Sequence, residues 1–272
     1  MYNAVIDSHI HLDLYKKDDQ ELILQDLREY NIEAIISVSQ NLISAQENLA
    51  LSKQNSKIKP AFGFHPEQAL PKESEITDLL NFIKENHEHM VAVGEVGLPY
   101  YLRQENPTVA IEPYQELLEL FIRQASMLDK PIILHAVYED APIVCTILEK
   151  YSIKKAHFHW FKGDEKTIER MQRNGYFISI TPDVLYERDI QQLVGNYPLS
   201  LMMVETDGPW GFEGPFKGKL THPKMIHNIV QKIASIKRMD IKIIYELLFE
   251  NTKRFYNLCF LQFIKPFRIF KQ

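Results

Sequence analysis

The sequence predicts a single α/β domain with the (β/α)8 architecture of the TIM barrel. Eight short apolar or β-branched runs alternate along the chain with longer segments of helical periodicity. Eight strand-then-helix units in 272 residues match the number and length typical of this barrel. An open doubly wound sheet is the alternative. No glycine-rich turn follows the first run, which argues against a nucleotide-binding version of such a sheet.

The predicted strands and helices alternate along the chain, and two helices follow the last strand. The strands are Ala4 to Ile10, Ala34 to Val38, Pro60 to Phe64, Met90 to Val96, Pro131 to Leu134, Ala156 to Trp160, Tyr176 to Ile180 and Leu199 to Val204. The helices are Asp19 to Glu29, Leu42 to Gln54, Ile76 to Glu88, Pro113 to Leu128, Ala141 to Lys150, Asp164 to Asn174, Leu185 to Val194, His222 to Ile236 and Ile241 to Phe255. We expect the barrel to span residues 1–258. Residues 259–272 form an aromatic and basic tail, for which packing across the barrel bottom is favoured over pairing with a second subunit or contact with a membrane surface.

Composition narrows the choice of function. The chain is 45% hydrophobic and 25% charged, and its 31 Lys and Arg against 36 Asp and Glu give a formal charge of −5. No global positive field therefore draws it to nucleic acid or anionic lipid, so any polyanion must be recognised locally. Two cysteines are too few for a disulfide framework, which fits a reducing cytoplasm. We expect no leader, no membrane span and no obligate protein partner.

The first strand ends in two histidines, His9 and His11, with one residue between them. Strand side chains repeat every two residues, so both imidazoles are expected on one face as a chelating pair. Neutral imidazole is a good ligand for a borderline divalent metal. A half-exposed strand end is the alternative interpretation of this pair when it is considered alone.

Other predicted strands also end in residues that bind metals. In a barrel these ends meet at one mouth, where the chemistry of the fold takes place. No Lys or Arg stands at these ends to neutralise the buried carboxylates, so the cluster favours a cation. The candidate ligands are His9, His11, Glu95, His135, His159 and Asp207.

Six ligands are more than one tetrahedral ion can use, so we predict two divalent ions. Glu95 is expected to bridge them, with His9, His11 and Asp207 around one ion and His135 and His159 around the other. His157 shares the face of His159 but lies deeper, where a structural role is expected. The mixed imidazole and carboxylate set suits Zn, Mn, Mg or Fe.

With these residues in view, the chain resembles the TatD-type metal-dependent deoxyribonucleases, a branch of the amidohydrolase-like barrels. The resemblance covers nearly the whole chain. The motifs that carry it are Asp7-Ser-His-Ile-His11, Gly63-Phe-His-Pro66, Gly94-Glu-Val-Gly97, Pro131-Ile-Ile-Leu-His135, His159-Trp-Phe-Lys-Gly163, Glu205-Thr-Asp207 and Asn251-Thr-Lys-Arg-Phe255. The resemblance implies a hydrolase of phosphodiester bonds in DNA, with the six predicted ligands as its metal ligands.

The motifs that surround the predicted ligands depart from the family pattern. Pro99 stands where many members have an acidic residue, and Val137 stands where many have an arginine. Lys217-Gly-Lys219 and Thr221-His-Pro223 replace a usual Arg-Gly-Lys and Asn-x-Pro. The expectation is an intact metal centre with an altered substrate rim.

Each predicted catalytic or substrate-binding residue has an expected role. Asp207 is expected to hold a metal and to accept the proton of the attacking water, and Glu205 to orient ligands or water. His65 is expected to contact a phosphate oxygen, or else to cap its turn. Substrate contacts are expected from two loops rich in aromatics and cations, Pro99 to Pro107 and Pro209 to Pro223. The residues chosen from them are Tyr101, Arg103, Lys217 and Lys219.

Two other functions stay open from the sequence. The same centre could hydrolyse an amide, ester or lactone, although some of those enzymes would favour a lysine where Glu95 stands. A catalytically idle metal-binding protein would be expected to have lost at least one ligand, and none is missing.

Overall fold

A ring of eight parallel strands surrounded by helices confirms the predicted barrel. The computed structural model describes residues 3–259. The strands are β1 (Val5–Ile10), β2 (Ile32–Val38), β3 (Ile58–Phe62), β4 (Ala92–Gly97), β5 (Ile132–His135), β6 (Ala156–Phe158), β7 (Phe177–Ile180) and β8 (Met202–Val204). They pair in parallel in chain order, from β1 to β8.

Ten α-helices lie within the described residues, and most of them cover the outside of the ring. They are α1 (Lys17–Asp26), α2 (Leu42–Gln54), α3 (Glu73–Glu85), α4 (Tyr100–Glu105), α5 (Glu112–Met127), α6 (Asp140–Lys150), α7 (Glu165–Asn174), α8 (Arg188–Asn196), α9 (Ile226–Lys237) and α10 (Ile241–Phe255). Amphipathic sequence explains the placement of most of them, because they bury an apolar face against the strands. In α5, for example, Leu118, Phe121 and Ile122 are almost completely buried.

The barrel has one core inside the ring and a larger one between the ring and the helices. Small residues that include Ala34, Ala61 and Ala92 line the interior, where eight strands leave little room. The C-terminal end of α10 closes the bottom, because Phe255 and Tyr256 pack into the interior cluster. The opposite end of the ring, at the strand carboxyl ends, is therefore left for polar side chains.

Irregularities in β1 and β4 bring polar side chains into the mouth. The β1/β2 register shifts between Asp7 and Ile10, and the β4/β5 register shifts between Val93 and Val96. Ile6 packs in the interior cluster, yet His9 also faces inward although it lies three positions later. Ala92 and Glu95 are related in the same way. Strict alternation would have pointed these side chains outward.

Backbone hydrogen bonds between the end of β1 and the segment after β8 close the ring at the mouth. The Asp207 N–H donates to the His9 carbonyl at 2.9 Å, and the His11 N–H donates to the Gly208 carbonyl at 2.8 Å. Asp7 adds to this seam, because its carboxylate accepts from both the N–H and the hydroxyl of Thr206. The first and last strands are thus fixed to each other beside the predicted ligands.

The structure corrects several predicted boundaries. Leu199–Leu201 is a 3-10 turn, so the last strand begins only at Met202. The predicted loop from Pro99 to Pro107 contains the helix α4, and the helix predicted from His222 begins as α9 at Ile226 after a 3-10 turn. These errors share a cause, because apolar runs and proline mark where elements change but not which element follows.

Residues 260–272 of the predicted tail lie outside the described residues. Within residues 3–259, no helix combines the length and apolarity that crossing a membrane would require.

Gly97, at the end of β4, is needed because another backbone approaches it closely. A Cβ atom at this position would lie 1.9 Å from the carbonyl oxygen of His135. We expect Gly97→Ala to lower the free energy of unfolding by about 3 kcal/mol or more, because neither strand can move aside. Urea denaturation measures this loss.

The matched control for that substitution is Gly195→Ala in α8. A Cβ there would meet Ile236 at 3.9 Å, which is ordinary van der Waals contact. Stability should stay the same or rise by about 0.5–1 kcal/mol, because alanine favours helix more than glycine does. A Gly97→Ala protein with the wild-type urea midpoint would contradict the close packing of β4 on β5.

Candidate metal centre

The two carboxylate oxygens of Glu95 face two different groups of imidazoles at the barrel mouth. Oε2 lies 3.2 Å from Nε2 of His9 and 3.2 Å from Nε2 of His11. Oε1 lies 2.6 Å from Nε2 of His159 and 3.0 Å from Nδ1 of His135. One buried carboxylate thus stands between the two histidine sets that the sequence assigned to separate ions.

Asp207 completes the first of these groups. Its Oδ1 lies 3.2 Å from Nε2 of His9 and 3.5 Å from Nε2 of His11. The residue follows β8 in the left-handed region, with a φ of 48°, and its N–H is bonded to the β1 backbone. The six residues predicted as ligands therefore lie together and are all buried.

Several of these buried polar atoms converge without forming hydrogen bonds. Among residues 3–259, the atoms without a hydrogen-bond partner include Nε2 of His9, Nε2 of His11, Oε2 of Glu95 and Oδ1 of Asp207. A buried polar atom without a partner is costly, so such a cluster needs an explanation. The donor atoms of His9, His11 and Glu95 lie within 4.8 Å of one another, as do those of His9, His159 and Asp207. Imidazole nitrogens and carboxylate oxygens gathered in this way fit a divalent cation.

The electrostatics of the centre favour the ionised form of Glu95. Burial opposes ionisation of Glu95, but its interactions with the surrounding imidazoles, chiefly His159, His65 and His9, outweigh burial and hold the pKa of Glu95 well below its usual value. Glu205 behaves in the opposite way, since burial raises its pKa well above the usual value. The pKa values of these two buried carboxylates thus shift in opposite directions, because imidazoles surround Glu95 whereas burial dominates at Glu205.

Glu205 lies below the centre in a buried chain of hydrogen bonds. Its Oε1 accepts from the Trp160 N–H at 2.7 Å, and its Oε2 accepts from Ser179 Oγ at 2.5 Å. Ser179 Oγ lies 2.5 Å from Nε2 of His157, whose Nδ1 lies 2.7 Å from the Tyr256 hydroxyl. Both carboxylate oxygens of Glu205 are therefore hydrogen-bonded, to Trp160 and to Ser179. The orienting role expected for Glu205 and the structural role expected for His157 stay predictions.

His65 and Tyr101 lie beside the centre, as their predicted roles require. Nε2 of His65 is 3.4 Å from Oε1 of Glu95, and its Nδ1 accepts from the Glu67 N–H at 3.2 Å. Burial lowers the pKa of His65 to about 3. The Tyr101 ring is 45% exposed and has its centroid 6.1 Å from that of His135. Their roles as substrate contacts stay predictions.

The three predicted substrate cations have protein partners. Arg103 forms a 3.0 Å ion pair with the buried carboxylate of Asp140. Lys217 is an exposed side chain that lies 3.0 Å from Glu213 Oε2, and Lys219 donates to the Pro215 carbonyl at 2.8 Å. A substrate role for any of them stays a prediction. To bind substrate, Arg103 would either have to keep its ion pair with Asp140 or exchange Asp140 for the substrate.

Sequence reasoning missed two residues close to the centre, Glu67 and Trp210. The carboxylate of Glu67 lies 3.0 Å from Nε2 of His135. Trp210 is 46% exposed, and its ring centroid is 6.5 Å from that of His11. Trp210 lies in the loop from Pro209 to Pro223, whose aromatic and basic residues predict substrate contacts without singling it out. The only sequence signal for Glu67 was its position two residues after His65, in the loop that follows β3.

Comparison with known proteins assigns the chain to a known group. The family model described as TatD related DNase matches residues 6–257. An uncharacterized metal-dependent hydrolase of Haemophilus influenzae is 39% identical over 255 residues, which cover 93% of this chain and 100% of that protein. The human deoxyribonuclease TATDN3 is 27% identical over 262 residues, covering 93% of this chain and 94% of that protein. The crystal structure of the TatD homolog YjjV from Escherichia coli has a TM-score of 0.84 at 23% identity and covers 95% of this chain and 100% of its own.

Proposed function

The chain belongs to the family of TatD-related DNases, and from that premise we propose that it hydrolyses phosphodiester bonds of DNA with two divalent metal ions. Family membership makes it a metal-dependent hydrolase. The observation that carries the two-ion proposal is the arrangement around Glu95, whose two oxygens face separate imidazole groups. A carboxylate between two ligand sets is typical of two-metal hydrolases.

Each ion is assigned the residues that already lie together. His9, His11, Asp207 and Oε2 of Glu95 would hold one ion, and His135, His159 and Oε1 of Glu95 would hold the other. Divalent ions at such a site lower the pKa of water and stabilise negative charge on the phosphoryl oxygens. The remaining roles belong to the chain's own side chains.

Asp207 is assigned as the proton acceptor. Its Oδ1 faces the imidazoles of His9 and His11, which leaves Oδ2 to take the proton of the attacking water. Glu205 lies next to the second group, with its Oε1 3.8 Å from Nδ1 of His159. We assign it to hold the orientation of that imidazole rather than to contact the substrate.

His65 is assigned to the substrate phosphate rather than to an ion. Because the Glu67 N–H donates to Nδ1, that nitrogen must be the acceptor, and the proton of the neutral ring is assigned to Nε2. An Nε2–H group that faces the centre is a donor, which suits a non-bridging phosphate oxygen. Its close approach to Glu95 Oε1 fits the same tautomer.

Exposed aromatic side chains beside the centre support a nucleic acid as the substrate. Tyr101 lies near His135, and Trp210 lies near His11, on two sides of the mouth. Aromatic rings can stack against bases of any sequence. With a net charge of −5, the chain must hold the polyanion through such local contacts and through the bound cations.

One panel of assays tests this proposal. Metal-stripped protein is restored with Mn²⁺, Mg²⁺ or Zn²⁺ and is tested on single-stranded DNA, double-stranded DNA, RNA and a carboxylic ester. We expect DNA cleavage that depends on the restored ion. An identical preparation of the Asp207→Asn protein controls for contaminating nucleases. Ester hydrolysis without cleavage of any nucleic acid would overturn the proposal in favour of a carbonyl hydrolase.

A further inference from the structure

Glu67 connects the metal centre to the neighbouring helix α4 through a single carboxylate. Its Oε1 accepts from the Tyr101 N–H at 2.9 Å and lies 3.0 Å from Nε2 of His135. Its Oε2 accepts from the Leu102 N–H at 2.6 Å. The side chain is largely buried, so these partners replace water for the charged group. Glu67 therefore has partners both in the candidate metal centre and on α4.

Helix α4 depends on this carboxylate at its N-terminus. The preceding residue, Pro99, provides no side-chain cap. Glu67 takes that place from a distance, because it accepts from two N–H groups of the first turn, which have no partner within the helix. Further along, Arg103 pairs with Asp140, so α4 is held by ion pairs and hydrogen bonds on both sides. The same helix carries the exposed ring of Tyr101.

The second consequence concerns the tautomer of His135. A carboxylate only accepts hydrogen bonds, so the proton of the neutral imidazole is assigned to Nε2, facing Glu67. Nδ1 then presents its lone pair to the centre, where it lies 3.0 Å from Glu95 Oε1 and 3.3 Å from His159 Nε2. His65 has the same tautomer but the opposite orientation, because its Nδ1 accepts from the Glu67 backbone N–H and its Nε2 faces the centre. One residue thus fixes the proton positions of two imidazoles.

We propose that Glu67 is a positioning residue that holds His135 ready to bind a metal and, through the same carboxylate, fixes α4 beside the substrate. This inference rests on the proposed function, since it takes His135 as a ligand. Carboxylates that accept from the second nitrogen of a metal-binding histidine orient the ring and raise its basicity. Here the carboxylate also accepts hydrogen bonds from α4, the helix that forms part of the mouth. The metal site and the substrate rim are therefore aligned by one group.

Zn²⁺ titration of metal-stripped protein by calorimetry tests the metal half of the proposal. We expect Glu67→Ala to weaken the weaker of two binding events by about 10–100-fold, because His135 loses the partner that fixes its tautomer. Nitrogen-15 spectra of the Zn²⁺-loaded wild type should show one histidine with a coordinated Nδ1 and a protonated Nε2. In Glu67→Ala that signature should be lost or averaged.

Glu67→Gln and Glu105→Gln provide the matched variants. Glutamine has a single acceptor oxygen, so it can keep the hydrogen bonds of only one of the two carboxylate oxygens. Its NH₂ group then faces the donor that the other carboxylate oxygen binds in the wild type. We expect its Zn²⁺ affinity and its KM for DNA to lie between those of the wild type and Glu67→Ala. Glu105 is exposed on α4 itself, and its replacement should change neither value. If Glu67→Ala does not fold, the Glu67→Gln protein provides the same comparison.

The outcomes separate this inference from the proposed function. Wild-type protein that binds no Zn²⁺, or that cleaves no DNA with any ion, would overturn the proposed function. Wild type that binds two ions, with Glu67→Ala and Glu67→Gln binding them equally tightly and showing the same histidine spectrum, would overturn the role of Glu67. Weakened Zn²⁺ binding together with a raised KM would support both halves of the proposal.

Discussion

Replacement of Glu95 by glutamine is expected to abolish hydrolysis and to weaken the binding of both ions at once. Glu95 is the only residue of the described chain whose two side-chain oxygens face His9 and His11 on one side and His135 and His159 on the other. An amide keeps the shape but loses the charge and one acceptor oxygen. An ion in such a site stabilises the transition state by several kcal/mol, so its loss should lower the rate at least about 1000-fold.

Thermal unfolding with and without Zn²⁺ measures the loss of binding independently of activity. A ligand at about 1000 times its Kd adds roughly 4 kcal/mol of stability, which should raise the unfolding temperature of the wild type. The Glu95→Gln protein should fold without metal and show little or no shift. Glu116, exposed on α5, gives the matched control, since Glu116→Gln should shift as the wild type does. A full Zn²⁺ shift in Glu95→Gln would rule out Glu95 as the bridge.

Asp207→Asn is expected to abolish turnover while leaving the fold and most of the metal binding in place. The asparagine oxygen can still face His9 and His11, but the amide cannot accept a proton from water. Loss of a general base costs about 100- to 10,000-fold in rate. We expect kcat to fall by this amount with little change in KM. The assay uses protein that is stripped with chelator and then restored with Mn²⁺.

An exposed aspartate on α3 supplies the control for this substitution. Asp78→Asn makes the same chemical change away from the mouth and should leave kcat unchanged. Circular dichroism and the urea midpoint establish that the Asp207→Asn protein is folded. If the metal-restored Asp207→Asn protein retained activity, the assignment of Asp207 as the proton acceptor would be wrong.

The barrel and the grouping of the six candidate ligands could be predicted because each strand end carries its own signal. An imidazole or carboxylate that closes an apolar run is conspicuous in sequence, and the fold brings all strand ends to one mouth. Local irregularity was harder to foresee. The shifts in β1 and β4 change which side chains face inward, and nothing in the residues of Asp7 to Ile10 marks where the register changes.

What lay beyond prediction were pairings between residues far apart in the chain. Arg103 was identified as a substrate cation because it stands among aromatics. Its partner Asp140 is 37 residues away, and no local pattern connects the two. The contact of Glu67 with His135, across 68 residues, is of the same kind. The helix α4 was read as a loop because Pro99 and Pro107 enclose it, and its N-terminus is stabilised by Glu67 rather than by a neighbouring residue.

The hydrogen bonds between the end of β1 and the segment after β8 determine when the metal centre can assemble during synthesis. His9 and His11 are synthesised about 200 residues before Asp207, which faces both of them. The hydrogen bonds from Thr206 to Asp7 span 199 positions. Such distant contacts form late, because closing so long a chain segment is slow and costly in entropy. Until the last strand is in place the ring stays open, so the metal centre can assemble only once the barrel has closed.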